Sequence, residues 1–115
     1  MKEERSIEER LADARNFAAK AHDLVGGMPL SMLRRIDYYQ HALRSYLIIV
    51  GEALGCVPPE FTKSSPEIPW RMITGMRNRL VHAYWRVDLD IVHRAARDHA
   101  PDLIARLDKL IARTE

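Results

Sequence analysis

The stretch that decides the fold is residues 66–92, which read PEIPWRMITGMRNRLVHAYWRVDLDIV. Because proline is tolerated in the first turn of a helix, a helix is expected to begin near Pro66 or Pro69 and to run to about Ala83. Asp88 is then expected to cap the following helix, since its carboxylate can accept hydrogen bonds from the unpaired N–H groups of a first turn. The stretch therefore predicts one helix, a short connection and the start of another helix.

Two more helices are predicted before this stretch. The first opens with Ser6-Ile-Glu-Glu9, a capping box in which the serine and the glutamate satisfy each other's backbone N–H groups. Its apolar residues recur at helical spacing and are Ile7, Leu11, Ala14, Ala18, Ala21 and Val25. Ser31 is expected to cap the second helix, which ends at Gly55. The apolar stripe of that helix is Ile36, Tyr39, Leu43, Leu47, Val50 and Leu54.

The remaining sequence predicts one short turn and one long helix. The connection at residues 56–67 can hold a helical turn around Glu60 and Phe61. The last helix has an apolar stripe at Leu89, Val92, Ala96, His99, Leu103, Leu107 and Leu110. Pro101 lies inside this helix and predicts a kink near Ala100, because proline lacks an N–H and its ring clashes with the preceding turn. The sequence therefore predicts a single all-α domain at residues 1–115, built as an up-and-down four-helix bundle.

Gly51 and Gly55 lie four residues apart on the second helix, so they could let another backbone approach closely. The simpler interpretation, which we favour for Gly55, is that it ends the helix.

Composition favours a soluble protein without disulfides. Hydrophobic residues make up 47% of the chain and charged residues 30%, which is ordinary for a globular protein. Cys56 is the single cysteine, so no internal disulfide can form and a cysteine-based zinc site is excluded. The start of the chain is charged where a signal peptide would be apolar, and no run approaches the length of a membrane span. A cytoplasmic location without membrane contact is expected.

The net charge of +2 is unevenly distributed. Residues 68–87 contain four arginines, at positions 71, 77, 79 and 86, and no acidic residue, which leaves the rest of the chain with a slight acidic excess. A local basic patch on a nearly neutral protein fits a phosphate-bearing partner that binds in a confined place.

The helix within residues 66–92 places polar groups where apolar ones are expected. Arg77 and Tyr84 fall among the positions that should be buried, which are Trp70, Ile73, Met76, Leu80 and Val81. A buried guanidinium needs partners, so Arg77 is either a bundle arginine paired with a carboxylate or a functional residue. His82 falls on the opposite face with Arg71 and Asn78, where it could also be a simple C-terminal cap.

The other histidines, at positions 22, 41, 93 and 99, carry no such signal. Asp37 and His41, four residues apart, could in principle hold a metal ion, but no third ligand is evident and a solvated pair is the favoured interpretation.

The pattern Arg77-x4-His82-x-Tyr84 resembles the RX4HXY motif of the HEPN superfamily. The resemblance is to the HepT-like toxins of HEPN–MNT toxin–antitoxin modules, in which MNT is a minimal nucleotidyltransferase. Asn78 matches the polar residue preferred after the motif arginine, and residues 66–92 resemble the family throughout. The N-terminal half agrees only as two helices of suitable length.

This resemblance implies a metal-independent endoribonuclease without a cofactor. Arg77 and His82 would be catalytic: histidine, with an ordinary pKa of about 6.5, suits proton transfer near neutrality, and arginine can hold phosphoryl oxygens. Asn78, Arg79 and Arg71 would support phosphate binding. Attack by the RNA 2′-OH would leave a 2′,3′-cyclic phosphate. Tyr84 would be the residue that the partner nucleotidyltransferase antitoxin modifies with AMP.

The helix geometry restricts how the motif can act, since Arg77 and His82 point about 140° apart on an ideal helix. They converge within one chain only if the helix ends before His82. Otherwise two copies must combine their motifs in one cleft, and the resemblance implies such a homodimer. The alternatives are a non-catalytic HEPN module that binds nucleotides or a partner, the antitoxin component, and a purely structural helical protein.

Overall fold

The computed structural model describes residues 4–115, and all regular structure in that range is helical, which confirms the all-α class. The charged start of the chain, used above against a signal peptide, lies partly outside the described residues. The helices are α1 (Ile7–Gly26), α2 (Leu30–Leu33), α3 (Asp37–Gly55), α4 (Pro59–Lys63), α5 (Trp70–His82), α6 (Leu89–Arg94) and α7 (Ala100–Thr114). A 3-10 turn spans Tyr84–Arg86, and a π-helical turn spans Ala95–His99. None of these described helices is both long and apolar enough to cross a membrane.

Helix α3 lies at the centre of the packing. It contacts α1 on one side and α5 on another, while α7 folds back along α1. Apolar side chains fill the space between these helices in two clusters. One includes Leu11, Leu54 and Leu107, and the other includes Leu43 and Leu80, all of them at most 1% exposed. Leu80 therefore fixes the C-terminal part of α5 in the core.

The capping box of α1 is confirmed. The Ser6 hydroxyl accepts a hydrogen bond from the Glu9 N–H at 3.1 Å, and the Ser6 N–H donates to Glu9 Oε1 at 3.0 Å. The pKa of the Glu9 carboxyl is lowered, chiefly because it accepts that backbone hydrogen bond. The expected stripe is also present, since Leu11, Ala14, Ala18, Ala21 and Val25 are buried.

The expectation that Ser31 caps the second helix is wrong. Ser31 lies inside the short helix α2, and the long helix α3 begins only at Asp37. The break is held by Gln40, whose side-chain amide donates to the carbonyls of Leu33 at 3.0 Å and Arg34 at 3.1 Å. A side chain from α3 thus satisfies carbonyls that a continuous helix would use internally. The predicted end at Gly55 and the short helix around Glu60 and Phe61 are both present.

The start of α5 is tied to its surroundings. Pro69 occupies the N-cap position and Trp70 is the first helical residue, with the indole N–H donating to the Ser65 carbonyl at 2.9 Å. Two arginines of α7 hold the preceding Glu67. Arg106 donates to its carbonyl at 2.7 Å, and Arg113 donates to its carboxylate at 2.5 Å and thereby lowers its pKa.

The helical hydrogen bonding changes just before Pro101. The Ala100 N–H donates to the Ala95 carbonyl, which gives a single π-helical turn, and Pro101 then lies in the first turn of α7. Such a turn is one way to accommodate the missing N–H and the bulk of a proline ring. The kink itself stays a prediction.

Asp88 does precede α6, but only its backbone carbonyl caps the helix and its side chain makes no cap hydrogen bond.

The two long helices α3 and α5 approach most closely at Gly51. A Cβ atom added there would lie 2.2 Å from the Arg77 Cβ and 3.3 Å from the Ile73 carbonyl oxygen. No side chain larger than hydrogen fits without moving one helix. Of the two glycines, Gly51 therefore allows the close approach, while a Cβ at Gly55 would make only an ordinary contact of 3.5 Å with Thr74.

We expect Gly51→Ala to lower the free energy of unfolding by about 1–3 kcal/mol, because overpacking forces α3 and α5 apart. Gly75→Ala is the matched control, since a Cβ at Gly75 meets no atom within 4 Å. It should stabilise the protein by about 0.5–1 kcal/mol through better helix propensity. Chemical denaturation of both variants measures the difference. If the two substitutions shift stability equally, the close approach at Gly51 is not a packing constraint.

Candidate active site

Arg77 lies on α5 against Gly51, and its guanidinium reaches along α3 to Glu52. Its Nε donates to Glu52 Oε1 at 2.9 Å, and its Nη2 donates to the same oxygen. Its Nη1 donates to Asn78 Oδ1 at 2.8 Å. The Arg77 side chain keeps 28% of its surface exposed. The arginine in the apolar stripe is thus half-buried and paired with a carboxylate, while an edge of it stays open to solvent.

His82 is the last residue of α5, and its side chain is exposed. Among residues 4–115, no side-chain hydrogen bond involves it. Since α5 includes both Arg77 and His82, the helix does not end early enough to bring the two together. The predicted end near Ala83 is confirmed to within one residue, because the Ala83 N–H still donates to the Arg79 carbonyl at 2.8 Å.

The three residues expected to support phosphate binding differ in their contacts and exposure. Asn78 contacts Arg77 directly, but Arg71 and Arg79 are exposed and form no ion pair with any residue the structure describes. Arg79 lines a groove of about 300 Å³ between α5 and the α6–α7 region, together with apolar residues that include Met72, Met76, Ile91 and Leu103. The placement of Val81 in the buried face is wrong, since its side chain is 42% exposed.

Tyr84 follows α5 in the 3-10 turn and is half-buried. Its hydroxyl lies 2.5 Å from His41 Nδ1, and the two rings stack with centroids 5.6 Å apart at 21°. Trp85 meets the edges of both rings and is itself 73% exposed. These contacts correct the expectation that His41 is unremarkable, because its Nδ1 contacts the hydroxyl of the motif tyrosine.

Arg44 also contacts Tyr84. Its side chain is 3% exposed, its Nη1 donates to the Tyr84 carbonyl at 2.9 Å, and its guanidinium carbon lies 5.0 Å from the Tyr84 ring centroid. Burial lowers the pKa of Arg44, and the neighbouring Tyr84 opposes that shift. Burial raises the pKa of Tyr84, while the charge of Arg44 acts in the opposite direction. The phenol is therefore neutral near pH 7.

Sequence reasoning missed His41, Arg44 and Glu52. Arg44 did carry a signal, because it is an arginine next to the apolar stripe of α3, the same anomaly that drew attention to Arg77. Glu52 carried none, and the spacing of His41 from Asp37 indicated only a possible metal pair, since the contacts of both residues depend on how α3 packs against α5. No group of three or more potential metal ligands occurs in the described part of the chain. The Asp37 and His41 pair has no third ligand there.

Comparison with known proteins identifies the family of the chain. The Ribonuclease HepT-like family matches residues 7–110. A probable ribonuclease HepT from Thermococcus cleftensis is 38% identical over 71 residues, covering 62% of this chain and 64% of that protein. A candidate RNase from Methanocaldococcus jannaschii is 26% identical over 107 residues, covering 84% of this chain and 92% of that protein. A candidate RNase from Caldanaerobacter subterraneus is 32% identical over 65 residues, covering 56% of this chain and 58% of that protein.

The matched region thus spans a little under two thirds of the Thermococcus and Caldanaerobacter relatives. No solved structure matches the chain. The family match covers nearly the whole chain, including all of α3, α5 and the Tyr84 turn. The chain belongs to the HepT-like ribonuclease family of the HEPN superfamily.

Proposed function

We propose that this protein is a metal-independent endoribonuclease, acting in the cytoplasm as the toxin of a HEPN–MNT toxin–antitoxin module. The observation that carries the proposal is the intact Arg77-x4-His82-x-Tyr84 pattern in a chain of a ribonuclease family. The exposed ring of His82 and the partly exposed guanidinium of Arg77 support it, because both can reach a substrate.

The proposed reaction is an attack within the RNA backbone. The 2′-oxygen loses its proton and bonds to the adjacent phosphorus, and the bond from phosphorus to the 5′-oxygen breaks as that oxygen takes up a proton. His82 transfers protons, since an imidazole exchanges them near neutral pH. Arg77 donates hydrogen bonds to the phosphoryl oxygens as charge develops on them. Asn78 orients Arg77, and the exposed Arg71 and Arg79 bind flanking phosphates.

In this proposal Glu52 competes with a substrate phosphate for hydrogen bonds from Arg77. The Glu52 carboxylate accepts hydrogen bonds from two N–H groups of the Arg77 guanidinium. A phosphate that takes over those donors would displace Glu52, which is 49% exposed and can turn into solvent. The same pairing favours the second candidate function, a non-catalytic HEPN module that binds nucleotides or a partner protein, because a satisfied arginine needs no catalytic role.

A homodimer is part of the proposal. Arg77 faces α3 while His82 points to solvent, and both lie on one continuous helix. A second copy related by two-fold symmetry could bring its own motif to the same cleft. This arrangement would bring Arg77 of one copy and His82 of the other to the same phosphate, with that His82 transferring both protons in turn. The exposed Val81 beside His82 gives the contact an apolar component.

Control of the enzyme is assigned to Tyr84 and to a nucleotidyltransferase antitoxin. Transfer of AMP to the Tyr84 hydroxyl would add a nucleotide and negative charge two residues from His82, where RNA is proposed to bind. In this scheme the chain is the toxin, since it carries the catalytic motif, and the partner is the antitoxin.

RNA cleavage in EDTA tests the catalytic assignment. We expect wild type to cleave. We expect His82→Ala to lose about 10²–10⁴-fold, the contribution of a positioned proton donor or acceptor, and Arg77→Ala to lose about 10²–10³-fold, the contribution of one donor that stabilises developing charge. Products should end in a 2′,3′-cyclic phosphate and a 5′-hydroxyl. His99→Ala is the control, because His99 is an exposed histidine outside the motif. Equal rates for wild type and His82→Ala would reject the assignment, and RNA binding without cleavage by wild type would favour the binding module.

Mixing two inactive variants tests the composite site. After subunit exchange between Arg77→Ala and His82→Ala, about half of the dimers are mixed. Each mixed dimer combines one intact Arg77 with one intact His82, so measurable cleavage should return. The control is the Arg77→Ala/His82→Ala double variant mixed with either single variant, which cannot restore a full pair. If mixed dimers form, as shown by native mass spectrometry, yet remain inactive, both residues must act within one chain.

A further inference from the structure

The hydroxyl of Tyr84 is hydrogen-bonded to a side chain that can act as a base, His41. The phenol oxygen lies 2.5 Å from Nδ1 of His41, and the stacked rings hold that contact in place. With its proton on Nε2, His41 accepts the hydrogen bond of the phenol at Nδ1. His41 is itself exposed on α3, so a proton that it receives can pass to water.

Tyr84 also has a buried cation beside its ring. The Arg44 guanidinium is 3% exposed and lies 5.0 Å from the ring centroid, and no ion pair joins it to an acidic residue within the described range. Its Nε has no hydrogen-bond partner there. An arginine does not lose its charge, so a buried guanidinium without a carboxylate stabilises negative charge on a neighbouring group.

We propose that His41 is the general base that turns Tyr84 into a nucleophile, with Arg44 stabilising the negative charge that develops on the phenol oxygen. The identity of the electrophile rests on the proposed function, in which Tyr84 receives a nucleotide. The pairing of a base with this oxygen does not depend on it.

The reaction is the transfer of a nucleotidyl group to Tyr84 from a nucleoside triphosphate held by the partner nucleotidyltransferase. The Tyr84 oxygen bonds to the α-phosphorus, and its proton passes to His41 Nδ1. The bond from that phosphorus to the bridging oxygen breaks, and pyrophosphate leaves with the electron pair. A base is required because burial raises the pKa of the phenol, so the unassisted oxygen is protonated and a weak nucleophile near pH 7.

The alternative is that His41 only orients the ring. Three substitutions separate the two roles. His41→Gln keeps a hydrogen-bonding side chain on the helix but removes the base, His41→Phe keeps the stacking, and His41→Ala opens space for free imidazole. Because His41 is exposed, all three are expected to fold, which circular dichroism checks.

The experiment uses an aryl sulfonyl fluoride, which sulfonylates phenol oxygens with loss of fluoride and needs neither partner nor RNA. Mass spectrometry follows Tyr84 and Tyr38 in the same sample. Tyr38 is the internal reference, because it is 69% exposed and its hydroxyl has no hydrogen-bonded base among the described residues. We expect the rate ratio of Tyr84 to Tyr38 to fall by about 100-fold in all three variants, the lower end of a general base's contribution. Added imidazole should restore it in His41→Ala alone.

An unchanged ratio in His41→Gln, or one that imidazole fails to restore in His41→Ala, would overturn the proposal in favour of an orienting role. Failure of the ribonuclease proposal is seen separately, as absence of RNA cleavage by wild type. The two outcomes are therefore distinguishable.

Discussion

The contact between α3 and α5 at Gly51 is the constraint on which two side-chain clusters depend. One is Arg77 with Glu52, and the other is Tyr84 with His41 and Arg44. Because Gly51 has no side chain, the Arg77 Cβ lies directly against α3, and its guanidinium is carried along that helix to Glu52. The same close packing continues to the end of α5, where the chain leaves the helix and Tyr84 meets His41 and Arg44. Helix α3 thus supplies the groups that surround the motif, although the motif itself belongs to α5 and the turn after it.

The arginines of the two clusters differ in exposure and in pairing, and this difference gives the clusters different chemistry. Arg77 is half-exposed and paired with Glu52, so its charge is balanced until an anion displaces the carboxylate. Arg44 is buried, and its contacts in the described structure are the Tyr84 carbonyl and ring. An exposed pair of this kind contributes little to stability, whereas an unbalanced buried cation raises the local potential strongly. Under the proposed function, the first would suit reversible anion binding, and the second would stabilise the charge that develops on the phenol oxygen during reaction.

The sequence predicted what local chemistry determines. The Ser6 and Glu9 cap, the stripe of α1, the end of α3 at Gly55 and the extent of α5 all follow from spacing and capping within a few residues. The failures concern contacts made between helices. The break before α3 depends on the Gln40 side chain folding back on two carbonyls, and no pattern around Ser31 marks it.

At the candidate site, too, residues close together in the sequence could be predicted, and contacts between distant residues could not. The motif residues were found because they stand together in one stretch, but Glu52 lies 25 positions before Arg77, and His41 lies 43 positions before Tyr84. Only the register of α3 against α5, set at Gly51, brings these pairs together.

The separation of the two clusters has a consequence for the proposed modification of Tyr84. Since Tyr84 is hydrogen-bonded to His41 and Arg44, and Arg77 to Glu52 and Asn78, a group attached to the phenol under the proposed scheme would leave the Arg77 and Glu52 pair in place. In the proposed scheme such silencing would be reversible, because removing the group would restore the proposed nuclease activity.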